Sequence, residues 1–318
     1  MKKNFTNQVH LEGILYNHSL EKKVAGENSK HPGTEYIRGS IDIATNDEMT
    51  NVVSVYFRYV TAMTSTGKVM PTFGALEKII NGETKTVTNS SIEEAAYVSV
   101  NSALAVNDFY TKEGELVSSV RNEGGFINVL PKNMINPEEK KRNTFKVDYL
   151  ITKVKHVEAD EEKGTKEKAI LHGAFFDGYR KSILPADLVV YNPQAIAYFE
   201  DCDPSSREPL FTNLWGTNVS TTTKVEKIEE SAFGEAYVTS YSNTRKELVV
   251  TGAQKEPYEF GEENTLTLEE IKKMLEDREI YLATLKKNAE EWREKAATTK
   301  ATKVDESAFS SDDDEFDF

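Results

Sequence analysis

The segment Asn51-Val-Val-Ser-Val-Tyr-Phe-Arg-Tyr-Val-Thr61 carries the clearest strand signal in the chain. β-Branched and aromatic residues fill it, and apolar side chains recur with the two-residue period of a strand. If the side that carries Val55 faces a core, Tyr56 and Arg58 share the outer face. We therefore expect a central strand with one buried face and one face available for binding.

Segments of similar character lie on both sides of this strand. Strands are predicted over 9–16, 36–44, 97–106 and 116–120, and a helix over 72–80 that Pro71 opens and Asn81-Gly82 ends. The order is strand, strand, strand, helix, strand, strand, which is the order of an OB-fold, a small five-stranded barrel.

The same order returns in the second half of the chain. Predicted strands cover 145–152, 168–176, 179–191, 210–220 and 237–251, with a helix from Asn192-Pro193 to residue 200. Gly39 and Gly173 occupy matching places in the second strand of each half, where a glycine lets a barrel strand coil sharply. We predict a mainly β chain of two tandem OB-like β-barrels, residues 1–135 and 143–255. One large all-β domain is the alternative.

Residues 265–300 predict one long helix. Thr267 and Glu270 form a capping box, and apolar residues follow at alternating spacings of three and four, with Arg278 filling one gap. The stripe consists of Leu268, Ile271, Leu275, Leu282, Leu285, Ala289, Trp292 and Ala296. It either packs on the barrels or pairs with a second copy of the chain as a homo-oligomer. Residues 298–304 are expected to form a flexible linker.

The C-terminal segment, residues 301–318, is predicted to be a disordered acidic tail. Its last fourteen residues hold seven carboxylates, no cation, and three phenylalanines that end in Phe316-Asp317-Phe318. Like charges at this density keep a segment solvated. Disorder does not explain the phenylalanines, so we expect the tail to dock on a partner through Asp312, Asp313, Asp314, Phe316 and Phe318.

An acidic tail that ends in phenylalanine, following predicted OB-folds, resembles the single-stranded-DNA-binding proteins of bacteria and their phages. The residues before the final Phe318 are Glu315-Phe316-Asp317, which is closer to phage versions. The resemblance implies a protein that coats and protects single strands in DNA replication, recombination and repair, and that recruits enzymes of these pathways through its tail. The chain departs from the bacterial pattern in its second barrel, its long helix and its lack of a basic excess.

Catalytic chemistry finds no support in the sequence. The five histidines share no metal-ligand spacing, and the lone Cys202 excludes both an internal disulfide and a thiolate zinc site. Thr66-Gly67-Lys68 lacks the flanking residues of a phosphate-binding loop. We predict no enzyme activity, no cofactor and no metal.

Aromatic residues interleaved with cations mark the predicted nucleic-acid site. OB-folds bind single strands by stacking bases on aromatic rings while cations contact phosphates. In the first unit these candidates are Tyr56, Arg58, Phe109, Tyr110, Lys112, Arg121 and Phe126. Similar residues in the second unit, Tyr179-Arg180-Lys181, Trp215 and Tyr241 with Arg245, lie in a more acidic background, which favours a protein-binding or scaffold role there.

Two classes of function stay open at this stage. The first is a single-stranded-DNA-binding protein; the second is a structural, assembly or adaptor protein whose β domains and acidic tail bind only proteins. The net charge of −14 gives no bulk basic footprint. No apolar run is long enough to span a membrane, so we expect a cytoplasmic protein, in the host cytoplasm if the chain is phage-encoded.

Overall fold

The computed structural model describes residues 5–27, 29, 31–64, 66–160, 165–177, 182–229, 233, 237–262 and 265–308. The prediction of a mainly β fold with a long C-terminal helix is confirmed. The strands are β1 (Asn7–His18), β2 (Glu21–Val24), β3 (Glu35–Ala44), β4 (Val52–Thr61), β5 (Tyr97–Tyr110), β6 (Leu116–Leu130), β7 (Asn143–Val157), β8 (Lys168–Asp177), β9 (Ser182–Val190), β10 (Leu210–Glu229) and β11 (Tyr237–Ala253). The helices are α1 (Pro71–Ile80), α2 (Pro193–Asp201) and α3 (Leu268–Ala308).

The strands of the first half form a closed ring. β1 pairs antiparallel with β3 and with β5, β3 pairs with β4, and β5 pairs with β6. A short parallel contact between β4 and β6 closes the ring. The short strand β2, which the sequence pattern did not predict, lies outside the ring on β3.

The strands of the second half repeat this connectivity. β7 pairs antiparallel with β8 and β10, β8 pairs with β9, and β10 pairs with β11. A parallel contact between β9 and β11 closes the second ring. In both rings a helix connects the third strand to the fourth, which is the arrangement of an OB-fold barrel.

The barrel interiors follow from the alternation in the strands. In β4, Val53, Val55 and Phe57 are buried, while the residues between them face outward. α1 adds the buried side chains of Phe73 and Leu76 to the same core. α2 begins at a true cap, because the Asn192 side chain accepts hydrogen bonds from the backbone N–H groups of Gln194 and Ala195.

The matched glycines lie where the backbone of the second barrel strand approaches its neighbour closely. A Cβ on Gly39 would lie 2.3 Å from the carbonyl oxygen of Ser19, and Gly39 has a φ of +124°. A Cβ on Gly173 would lie 2.0 Å from the carbonyl oxygen of Leu150. Both glycines sit beside an irregularity in strand pairing, so each is required by a close approach in its barrel.

The two barrels are joined by strand pairing. β1 runs antiparallel to β7, with Asn7 aligned with Val147 and Leu11 aligned with Asn143. The buried Asp148 carboxylate reinforces this junction: it accepts hydrogen bonds from the Thr6 backbone N–H at 2.7 Å, the Asn213 amide at 2.6 Å and the Tyr258 hydroxyl at 3.0 Å. The barrels therefore form one continuous β structure, and the predicted boundaries at 135 and 143 stay a prediction.

α3 packs against its own barrels through one face. Ile271 is buried, and the face continues through the half-buried side chains of Met274, Arg278, Leu282, Leu285, Ala289 and Arg293. Leu268, Leu275 and Trp292, which belonged to the predicted stripe, are exposed. A straight helix drifts about 20° per heptad relative to a strict seven-residue repeat, so the packed face coincides with the predicted stripe only in part.

Arg278 explains the gap in that stripe. Its guanidinium donates to both carboxylate oxygens of Asp108, at 2.9 and 3.1 Å, and the two side chains are only 10% and 2% exposed. Asp108 lies on β5, so this buried ion pair ties α3 to the first barrel.

α3 also extends further than predicted. Residues 298–304, expected to be a flexible linker, are helical, and no glycine or proline interrupts the segment. The tail residues Asp312, Asp313, Asp314, Phe316 and Phe318 lie outside the described residues. Within the described part of the chain no helix is long and apolar enough to cross a membrane.

Candidate nucleic-acid interface

The outer face of β4 presents the first two predicted site residues. Because Val55 and Phe57 are almost completely buried, Tyr56 and Arg58 project from the barrel on the other side of the strand. Ser54 lies on the same face, and its hydroxyl donates to Asp42 of β3 at 2.6 Å. The strand thus has the inside and outside that its sequence predicted.

The parallel contact between β4 and β6 brings Arg121 to Tyr56. The guanidinium carbon of Arg121 lies 5.1 Å from the centroid of the Tyr56 ring, within the range of a cation–π contact. Arg121 is largely buried, with 17% of its side chain exposed. The tyrosine ring is therefore held in place by a cation rather than left free.

Glu123 is the member of the site that sequence reasoning missed. It pairs with Arg58 at 2.5 Å and with Arg121 at 2.8 Å, so one carboxylate serves two guanidiniums. The spacing Arg121-x-Glu123 puts both side chains on one face of β6, which was visible in the sequence. Their proximity to Tyr56 depends on the parallel pairing of Tyr56 with Glu123, which no local pattern encodes.

The remaining predicted residues lie elsewhere in the first barrel. Phe109 is 45% exposed and Tyr110 is half-buried at the end of β5, and Lys112 is exposed at the tip of the β5–β6 hairpin. Phe126 is 62% exposed, but it pairs with Asn101, far along β6 from the hairpin tip. The structure brings together Tyr56, Arg58 and Arg121, and it does not bring Phe126 to the hairpin group.

A cleft of 670 Å³ opens beside Tyr56 and Arg121. Its volume falls within the ~300–1,000 Å³ of typical ligand pockets. Residues of the second barrel form the other part of its lining, among them Lys168, Asp187 and Lys246. The sequence did not indicate this, because the cleft exists only where the two barrels meet.

A second cavity, of 650 Å³, lies beneath α3. Arg58, Glu123 and Asp108 of the first barrel line it together with Arg278 and Tyr281 of the helix. The Arg58–Glu123 pair thus borders the cavity beneath α3, whereas Tyr56 and Arg121 line the cleft between the barrels.

Of the candidate residues predicted in the second unit, the structure describes the side chains of only some. Residues 179–181 lie outside the described residues, and the side chain of Tyr241 is also outside them. Trp215 is 39% exposed, and Arg245 pairs with Glu247 at 2.5 Å. Among the described residues, no group of three or more His, Cys, Asp or Glu side chains is arranged to hold a metal ion.

The closed five-stranded rings, each with its helix between the third and fourth strands, define a tandem OB-fold protein. The chain belongs to the YorF family, whose model matches residues 6–288. No curated protein matches it. A solved structure, a deletion mutant of the single-stranded DNA binding protein from Thermus aquaticus, is 11% identical, with a TM-score of 0.46, over 82% of this chain and 98% of that chain. So distant a likeness supports no functional conclusion.

Proposed function

We propose that this chain binds single-stranded DNA on the outer face of its first barrel, acting by binding without catalysing a reaction. The observation that carries the proposal is Tyr56 on the outer face of β4, with Arg121 against its ring and an open cleft beside it. Arg58 adds a second cation on the same strand. Phe109, Tyr110 and Lys112 extend the surface along the hairpin, and Phe126 is a further exposed aromatic.

The free energy gained from a stacked base exceeds the cost of breaking an existing ion pair in the site. A base stacked on an aromatic side chain contributes ~1–3 kcal/mol. A partly exposed ion pair such as Arg58–Glu123, with 43% of the arginine side chain exposed, is worth ~0.2–1 kcal/mol. Breaking that pair so that Arg58 can contact a phosphate therefore costs less than one stacked base contributes.

Fluorescence anisotropy with a labelled single-stranded oligonucleotide tests the proposal. We expect the wild-type chain to bind the single strand more tightly than a duplex of equal length, with an affinity that falls as salt rises. Tyr56→Ala should weaken binding by ~1–3 kcal/mol. Tyr198→Ala removes a tyrosine that is exposed on α2, away from the cleft, and serves as the matched control.

Two results would contradict the proposal. Equal affinity for duplex and single strand would show that bases are not read by stacking. Absence of binding at low salt would instead favour the structural or protein-only adaptor role. Circular dichroism of Tyr56→Ala must match the wild type, since an unfolded variant would mean that the ring belongs to the core.

The acidic tail completes the proposed function. Asp312, Asp313, Asp314, Phe316 and Phe318 combine charge with aromatic anchors, a combination suited to a basic-rimmed apolar pocket on a partner. We propose that the tail recruits replication and recombination enzymes to the bound strand, in the cytoplasm, or in the host cytoplasm if the chain is phage-encoded.

A further inference from the structure

One cleft is shared by the two barrels. Its first wall carries Tyr56 and Arg121, from β4 and β6. Its second wall comes from β8, β9 and β11 and consists of Lys168, Ile170, Asp187, Val189, Lys246, Glu247 and Leu248. These are the strands of the second barrel that correspond to β3, β4 and β6 of the first, so the equivalent faces of the two units border a single space.

The floor of the cleft holds the walls in a fixed relation. Asn51, which precedes β4, donates from its amide to the Asn218 carbonyl oxygen at 3.0 Å and accepts from the Ser220 N–H at 2.7 Å. The buried Asn143 accepts from the backbone N–H of Asn218 at 3.1 Å. The Asn51 bonds link β10 to the first barrel, and the Asn143 bond ties β10 to β7 within the second. Together with the β1–β7 pairing, they hold the two walls in place relative to each other.

The second barrel also repeats the arrangement found around Tyr56. The Arg245 guanidinium lies 5.6 Å from the centroid of the Tyr191 ring, and Arg245 pairs with Glu247 at 2.5 Å. Arg121 stands in the same relation to Tyr56 and Glu123. In both units the arginine and the glutamate are two residues apart on the fifth strand of the barrel. The same three residue types therefore meet in both units, although only Glu247 of the second set lines the cleft.

Charge in the cleft singles out Lys246. Lys168 pairs with Glu247 at 3.0 Å, Asp187 pairs with His172 at 2.8 Å, and Arg121 pairs with Glu123. Lys246 is exposed, and among the described residues no carboxylate forms an ion pair with it. It is therefore the cleft cation that can contact a phosphate without first breaking an ion pair.

The second wall also contributes three apolar side chains to the lining of the cleft. Val189 is buried, and Ile170 and Leu248 are half-buried, so each shows only part of its side chain to the cleft. A base stacked on Tyr56 leaves its other side in water, and burying that side against aliphatic groups adds favourable free energy. A duplex keeps its bases stacked inside and cannot use such a site.

We infer that a single strand lies between the two barrels, with a base between Tyr56 and the apolar wall and a phosphate on Lys246. The inference rests on the proposed function and deepens it, because it makes the second barrel part of one binding site. One strand would then occupy the whole chain, and neither barrel would bind a strand alone.

The test uses the full chain and a short labelled oligothymidine in a salt series. Lys246→Gln should weaken binding about fivefold at low salt and should reduce the slope of log affinity against log salt by about 0.7, the value for one phosphate contact on a single strand. Lys246→Glu should weaken it further. Lys153→Gln is the matched control: Lys153 is an exposed lysine on β7 that does not line the cleft.

Stoichiometry provides a second readout. We expect one short oligonucleotide per chain at saturation, and two would overturn the inference because each barrel would then bind separately. The inference would also be overturned if Lys246→Gln bound with wild-type affinity and salt slope while Tyr56→Ala bound weakly in the same assay. That outcome would leave the proposed function intact. If the wild-type chain binds no single strand, the proposed function itself fails.

Discussion

The lack of a side chain at one glycine allows two barrel strands to approach closely. At Gly173 the backbone of β8 passes so close to Leu150 that a Cβ would lie 2.0 Å from its carbonyl oxygen. Gly74 in α1 is the opposite case, because a Cβ there would have no atom within 4 Å. The same residue type is thus required at one position and dispensable at the other.

Alanine substitution at these two glycines should have effects of opposite sign. Gly173→Ala forces a backbone shift, and we expect it to lower the free energy of unfolding by ~1–3 kcal/mol. Gly74→Ala should raise it by ~0.5–1 kcal/mol, since alanine is the better helix former. Urea denaturation followed by circular dichroism measures both. An unchanged free energy of unfolding for Gly173→Ala would mean that the backbones of β7 and β8 do not approach this closely at Gly173.

Tyr258, which donates to Asp148 at the junction of the barrels, should make the free energy of unfolding depend on pH in the alkaline range. Burial and the neighbouring Asp148 carboxylate raise the pKa of the Tyr258 hydroxyl to about 12, above the ~10 of an unfolded tyrosine. The hydroxyl therefore keeps its proton in the folded state at pH values where the unfolded chain has lost it. The stabilisation is complete below pH ~10 and is lost as the pH rises toward 12.

We expect the free energy of unfolding of the wild type to fall between pH 10 and 12 more steeply than that of Tyr258→Phe. The phenylalanine variant keeps the ring packed beside Phe211 but has no proton to lose. Thermal melts of both proteins across this pH range measure the difference. Parallel curves for the two proteins would show that Tyr258 does not titrate differently in the folded and unfolded states.

At the scale of elements, a buried ion pair joins α3 to the first barrel. Arg278 and Asp108 are both nearly inaccessible to water, and Asp108 also accepts from the Ser118 hydroxyl at 2.6 Å. Ser118 is on β6, so the ion pair reaches both strands of the β5–β6 hairpin. The hairpin that carries Phe109 and Tyr110 is therefore positioned partly by α3.

Removing the cation of this pair should be costly. Arg278→Met leaves the Asp108 charge buried without its partner, and we expect a loss of ~3–5 kcal/mol of stability. Combining it with Asp108→Asn should recover much of that loss, because the unpaired charge disappears. A double-mutant cycle by urea denaturation gives the coupling. Arg293→Met, farther along the same half-buried face, is the control and should cost clearly less.

Self-association through α3 is a separate question from its packing. The predicted stripe is partly used against the barrels, yet Leu275 and Trp292 remain exposed. If the chain forms homo-oligomers, we expect Leu275→Lys with Trp292→Lys to lower the mass seen by light scattering without loss of stability. A wild-type mass equal to one chain would show that the helix serves only its own barrels.

At the scale of the whole molecule, the acidic C-terminal segment carries charge of the sign that cations in the cleft attract. Residues 309–318 contain five of the carboxylates and follow directly after α3. Tethering gives such a segment an effective concentration on the order of millimolar. It can therefore compete with a DNA phosphate for Lys246 and the neighbouring arginines.

Deleting residues 309–318 should tighten single-strand binding, most clearly at low salt where screening is weak. Phe316→Ala with Phe318→Ala keeps the charge, so it should leave DNA affinity unchanged while abolishing capture of a tail-binding enzyme. Anisotropy and pull-down measure the two effects separately. Unchanged affinity of the shortened chain at low salt would remove the competition, and enzyme capture by the phenylalanine-free tail would remove the docking role.

Local sequence determined the elements of this protein. Period-two alternation in β4, Pro71 at the start of α1 and the Asn192 cap of α2 each act over a few residues, so their structures can be predicted from neighbours alone. The repeated order of strands and helix was sufficient to predict the mainly β class. The outer-face positions of Tyr56 and Arg58 followed from the same alternation.

Tertiary structure alone decided which distant residues meet. The parallel pairing of β4 with β6 places Glu123 at Tyr56, the antiparallel pairing of β1 with β7 creates the cleft that Lys246 lines, and α3 brings Arg278 to Asp108. These contacts join segments up to 170 residues apart. Their register is set by which side chains can be buried together across the whole fold, and no local pattern records that choice.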